Sequence, residues 1–240
     1  MTTKQLLHLY WRAGFGILPE QLHDKQKLSR SKVVSILFND SKEITPLTVD
    51  FSELQGKTKK AFLNKDKKAA EIQKMNRQHL REFNIAWINR MGSSHESLRE
   101  RMTLFWANHF VVRDNRIRFV QEYNNMLREY ALGDFRDFVK AMSKQAAMLK
   151  YLNNKQNKKQ SPNENFAREL MELFTLGKGH YTEDDIKESA RAFTGYFHNL
   201  NGEFILRKRQ HDDTLKTFLG KTGNFDGDDI IDIILEQKQC

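Results

Sequence analysis

The stretch Ser161 to Thr194, SPNENFARELMELFTLGKGHYTEDDIKESARAFT, constrains this chain more than any other. Its start and stop signals leave room for little but a helical hairpin. Ser161 can cap a first helix, Pro162 fits its first position, and Glu164 stands at the capping-box spacing. Phe166, Leu170, Leu173 and Phe174 then share one face, and Gly177 supplies a left-handed stop. Thr182 and Asp185 repeat the capping spacing for a second helix, whose inner face continues through Ile186, Ala190, Phe193 and Phe197.

The polar residues of the first helix carry the functional question. Asn165, Glu169 and Glu172 recur along one flank of the apolar face, and Glu164, Arg168 and Met171 along the other. Glu164 and Arg168 have the favourable orientation for an i,i+4 ion pair, worth about 0.2–0.5 kcal/mol at a surface. Apolar residues over most of the circumference predict a central helix, whose carboxylates then need partners. Two readings stand side by side: a structural polar network, or a catalytic or metal-binding pair formed by Glu169 and Glu172, with Arg168 beside it.

Elsewhere the pattern is also helical. Leu6, Leu7, Leu9, Tyr10 and Trp11 open a short helix that Gly14 ends. Pro19 starts another turn, and Ser29 to Phe38 a third. A long helix carries Ile72, Leu80, Phe83, Trp87 and Met91 inward until Gly92 closes it. Ser93 with Glu96 reads as a further capping box, leading into LRERMTLFWANHF. Here Leu98, Met102, Phe105, Trp106, His109 and Phe110 fall on one stripe, which turns His109 inward beside Trp106. Two more helices carry Val120, Tyr123, Leu127 and Tyr130, then Phe135, Phe138, Val139, Met142 and Leu149. Residues 155–160 lie in a polar segment that reads as an exposed loop. Asn201-Gly202 is a strong turn signal, so one small β-hairpin is expected within 196–209. The fold class is all-α, a multi-helix bundle-like single domain over 1–240 with that one hairpin.

Charge narrows the function classes without choosing one. Forty Lys+Arg against 31 Asp+Glu give a formal charge of +9. This balance permits an acidic partner but says nothing of fold. The basic segment Lys57 to Lys68, with Lys158 to Arg209, is the candidate nucleic-acid surface. A single cysteine, Cys240, excludes a disulfide framework or a cysteine-rich zinc site. No apolar run approaches the ~20 residues of a membrane span, and the start lacks a secretory leader. The chain as written reads as soluble and cytoplasmic. Two decoys fail on spacing: Gly220-Lys221-Thr222 lacks the earlier glycine of a phosphate loop, and Asn224, Asp226 and Asp228 lack the glycine and glutamate of a calcium loop. Asp226 with Asp229 reads instead as the cap of a last helix, Ile230 to Leu235.

The blocks HLYWRAGFG, LRERMTLFWANHF, LREYALGDFRDFV, MLKYLNN, NENFARELMELFTLGKGHYTEDDIKESARAFTGY and HDDTLKTFLGKTGNFDGDDIIDIIL resemble, in order, those of the bacterial domain of unknown function 1800 family. The resemblance implies a helical fold, an N-terminal part of a longer domain and no assigned reaction or cofactor. Many members look exported, which this chain does not. Members often sit beside genes for a sulfatase-like family, which implies a partner protein encoded nearby. It also places Trp106, Asn108 and His109 in one motif block. Asn163, Glu164, Asn165, Arg168, Glu169 and Glu172 belong to a second, and His211, Asp212 and Lys216 to a third.

Three functions follow. The first is a protein-interaction or scaffolding module. The second is an enzyme whose site gathers His109, Glu169, Glu172 and His211, as metal ligands in the manner of bundle sites or as general acid and base. The third is a basic nucleic-acid binder.

Overall fold

Eleven α-helices and two small antiparallel hairpins make up the described residues, 1–54, 67–93 and 95–240, of the computed structural model. In chain order the helices are α1 (Thr3–Ala13), α2 (Pro19–Gln26), α3 (Arg30–Asp40), α4 (Lys67–Ser93), α5 (Ser97–His109) and α6 (Ile117–Tyr130), then α7 (Phe135–Ser143), α8 (Ala146–Tyr151), α9 (Asn165–Glu169), α10 (Glu183–Ala192) and α11 (Gly227–Leu235). The punctuation explains many boundaries. Ser29 caps α3, Pro19 opens α2, and Thr182 with Asp185 closes a full capping box on α10. Asp226 with Asp229 does the same for α11, which begins at Gly227.

The expected hairpin forms between β1 (Tyr196–His198) and β2 (Phe204–Leu206), with Phe197 opposite Ile205. A second hairpin, β3 (Lys216–Phe218) with β4 (Lys221–Gly223), was not legible in the sequence. Its turn is Leu219-Gly220, both at positive φ. The Gly-Lys-Thr decoy is therefore the far side of a hairpin.

The main core gathers α6 to α11 around Phe138, Val139, Phe166, Leu170, Ile186 and Ile230. Residues 162–176 do run through this core: Phe166, Leu170 and Met171 are each 0% exposed. Smaller cores join α4 to Leu47 and Leu54, and α1 to α3 through Leu6, Tyr10, Val33 and Leu37. No described helix is long and apolar enough to cross a membrane.

Several local expectations are corrected. The helix opens at Asn165, not Pro162, and Glu164 makes no side-chain cap; Asn163 Oδ1 takes the Asn165 N–H instead. After Glu169 the helix widens into a π-turn over Leu170–Phe174. The added residue per turn swings Leu173 out to 60% exposure while Phe174 stays buried. Phe197 leaves the helical face for β1. Ser93 does not cap α5, because its hydroxyl donates back to the Asn89 carbonyl within α4. The 155–160 loop is exposed except at Lys155, half-buried, and Asn157, which is buried. The Asn157 side chain donates to the Ala190 carbonyl and accepts the Asn163 N–H, and its backbone carbonyl takes the Gly195 N–H.

Candidate functional site

Of the four residues expected to form a metal or acid–base centre, three serve separate local bonds and one has no partner among the described residues. His109 is half-buried, not fully inward, and its Nε2 lies 3.1 Å from the Phe174 carbonyl. His211, buried, directs Nδ1 to the Thr194 carbonyl at 2.8 Å. Glu172 is half-buried, with Lys178 3.0 Å away and Tyr181 donating to it. The lysine ammonium holds its carboxyl below the usual range. Glu169 is half-exposed and has no side-chain partner among the described residues. Consistent with that dispersal, no group of three His, Cys, Asp or Glu among the described residues is placed to hold a metal ion. The rod is central as expected, but its acids do not find mates in the interior.

The remaining motif residues do structural work. Arg168 bridges Glu164, at 3.2 Å, and Glu183, at 2.8 Å. Trp106 Nε1 donates to the Ala131 carbonyl, Asn165 to Leu152, and Asn108 to Leu104 within its own helix. Around the third block Arg191 clamps Glu188 and Asp212 and reaches Thr214. Lys216 is 1% exposed and its ammonium donates to the carbonyls of Asp212 and Thr214. Burial pulls its pKa down. This corner ties β3 to α10.

A model of the family described as Protein of unknown function (DUF1800) matches residues 8–240. This chain belongs to that family. No curated protein and no solved structure matches it. Two further charged clusters stand out in this DUF1800 chain.

The first lies between α4, α5 and α6. Glu100 and Arg128 are both 0% exposed, with Arg128 Nε 2.6 Å from Glu100 Oε1. Trp87 Nε1 donates to the other oxygen at 2.9 Å, and Arg90 Nε lies 2.9 Å from the first. Arg128 also donates to Asn125 Oδ1, which in turn receives the Leu47 N–H. Neighbouring Arg99 is spent on the carbonyls of Ser41, Arg128 and Glu129. A carboxylate and a guanidinium on core-facing positions of LRERMTLF and NNMLREY were the available signal.

The second cluster is built by four stretches distant in sequence. The Asp114 side chain is fully buried, and it accepts from the Arg116 backbone N–H and side chain and from Lys150 Nζ, the last at 2.7 Å. Burial raises the Asp114 pKa, but the bonds from Lys150 and Arg116 outweigh it and hold the carboxyl below its ordinary range. The Arg116 guanidinium lies 3.7 Å from the centre of the Phe119 ring. Arg207 covers Phe197 at 3.2 Å, and Lys155 approaches the same ring at 4.8 Å. Neither Lys155 nor Arg207 meets a carboxylate among the described residues. Between the two rings sits His198, 3% exposed, edge-on to Phe119 and parallel to Phe197. Its Nδ1 bonds the Asn199 carbonyl, and its Nε2 is buried without a partner. Burial lowers the pKa of this imidazole, the bond to the Asn199 carbonyl opposes that, and nearby Lys155 and Arg116 add to the lowering. Sequence could not expose this cluster, since nothing local links positions 114–116, 150–155, 197–198 and 207.

The basic surface expected to hold nucleic acid is only partly visible. Of the segment Lys57 to Lys68, residues 57–66 lie outside the described residues. Within Lys158 to Arg209, Arg168, Lys178, Lys187 and Arg191 are each paired with carboxylates. Lys158, Lys159, Lys208 and Arg209 are exposed without a carboxylate partner among the described residues, and the Lys159 N–H donates to the Gln210 carbonyl, which brings the two basic groups side by side.

Proposed function

We propose that the chain acts by binding another protein, through the face around His109. The observation that supports this reading is a set of exposed apolar side chains on the segments that His109 joins. Phe105 is 54% exposed, Leu173 60% and Val111 46%. The expectation that Phe105 faces inward is thereby corrected. His109 joins the two blocks: its ring lies parallel to that of Phe105, with centroids 6.4 Å apart, and its Nε2 meets the Phe174 carbonyl. Asn108 on α5 and Glu172 on the π-turn, the latter paired with Lys178 from the following turn, supply polar groups beside these residues in sequence. Aromatic and aliphatic groups inside a polar rim are the anatomy of a protein interface, and a few such residues carry most of its energy.

The partner we assign is the sulfatase-like protein that the family resemblance implies is encoded nearby. Co-purification with that product from the native host tests the assignment. The pair Phe105→Glu with Leu173→Glu should weaken capture at least about a hundredfold, since two hot-spot side chains are each worth about 2 kcal/mol or more. Both positions are solvent-exposed, so circular dichroism should be unchanged. Equal capture by wild type and variant, or no capture by either, overturns the reading.

A further inference from the structure

The second cluster goes beyond that docking face. We propose that Arg116, Lys155, Arg207 and His198 form a binding site for a phosphate group that still carries a proton. Four cations, Arg116, Lys150, Lys155 and Arg207, gather here, and the carboxylate paired with any of them among the described residues, Asp114, is already occupied by Arg116 and Lys150. Among the described residues the Lys155 and Arg207 side chains rest only on the ring of Phe197. Burial, and then crowding by Arg116, Arg207 and Lys150, makes the Lys155 ammonium less favourable than in water. An anion between them relieves that cost, and guanidinium groups match phosphate oxygens in shape and in donors.

His198 sets the finer choice. Its Nδ1 donates to the Asn199 carbonyl, so its buried Nε2 is a bare acceptor. Only a ligand that brings a hydrogen-bond donor of its own can meet it. A phosphate carrying one proton does so; sulfate at neutral pH does not. Nucleic acid fits less well, because Phe119 and Phe197 are each covered by a guanidinium and cannot serve as stacking platforms for bases.

Calorimetric titration of the full chain tests this near pH 6, where a phosphate ester holds its last proton about half the time. Inorganic phosphate and methyl phosphate are titrated separately, to tell a free ion from an ester, with sulfate and chloride at matched ionic strength. One of the two phosphates should bind, with sulfate at least about tenfold weaker. The pair Lys155→Met with Arg207→Met should lose the phosphate response. The single variant Lys155→Met, which removes a side chain with no hydrogen bond, should keep the fold and still lose about tenfold in affinity. The His198 Nε2 resonance should move with phosphate and stay fixed with sulfate. Sulfate binding as tightly as phosphate, an unaltered response in Lys155→Met, or a short single-stranded oligonucleotide binding about a hundredfold tighter than either phosphate, overturns the proposal.

Discussion

The Glu100–Arg128 cluster and the Asp114–Lys155–Arg207 cluster contain similar residues and end in opposite electrostatic states. In the first, both charges are fully buried and every strong donor around the carboxylate is aimed at it. In the second, the carboxylate is equally buried but its two partners leave two further cations with nothing but an aromatic ring among the described residues. Desolvated charge is costly unless its hydrogen-bonding shell is complete. A complete shell is therefore a feature of the fold. An incomplete one, held in place by rings and backbone, is a surplus that some ligand can use.

The largest effect expected from this contrast is at Glu100. Glu100→Ala strands a buried guanidinium and the Trp87 N–H together, and should cost about 3–5 kcal/mol in urea unfolding. Replacing both partners, Glu100→Leu with Arg128→Met, removes the unpaired charge and should recover most of that loss. A double variant as unstable as the sum of its singles would show that the cluster is not a closed unit, and the contrast would fail.

A smaller effect is expected where the backbone holds the open cluster. Gly195 has φ +78°, and a Cβ there would lie 2.8 Å from the Arg207 carbonyl oxygen and 3.1 Å from His211 N. Its carbonyl accepts the Arg207 N–H, so the same residue fixes where Arg207 leaves the sheet. Gly195→Ala should cost about 1–3 kcal/mol through forced backbone strain, and it should weaken the phosphate response along with stability. Were stability to fall with phosphate binding untouched, Arg207 would not belong to the site.

The same contrast marks what the sequence made legible. Short-range signals were read well: the caps at Thr182–Asp185 and Asp226–Asp229 formed, and so did the hairpin around Asn201-Gly202. The inward rod formed too, because the spacing of Phe166, Leu170 and Phe174 reflects one helical face. What failed did so for local reasons. The π-turn rotated Leu173 outward, which no 3.6-residue period anticipates. Asn163, not Ser161, took the first free amide. The candidate site was much less legible. Glu169 and Glu172 sat at suggestive spacing but on the outer flank of a buried rod, whereas Lys155 and Arg207 meet only because α8, the following 3₁₀ turn and β1 pack together. Spacing along one helix can be read from a sequence; apposition of four distant stretches cannot.

The smallest effect separates the clusters by pH. Lys150 and Arg116 hold the Asp114 carboxyl below its ordinary range despite its burial. Its folded-state pKa is thus depressed relative to the unfolded chain, which binds a proton there first as acid is added. The ionised carboxylate therefore contributes stability that is present above the ordinary value of about 4. That contribution is lost as pH falls through the lower folded value. Asp114→Asn should flatten the acid limb of the stability curve below about pH 4 relative to wild type, with its destabilisation largest near neutrality. Melting temperatures of both proteins across that interval check the sign. The variant also frees Lys150 and Arg116, adding to the positive surplus beside Lys155, so its phosphate affinity should rise as its stability falls. Parallel acid limbs in variant and wild type would mean that Asp114 is not paired in the folded state, and the cation count at the open cluster would have to be redrawn.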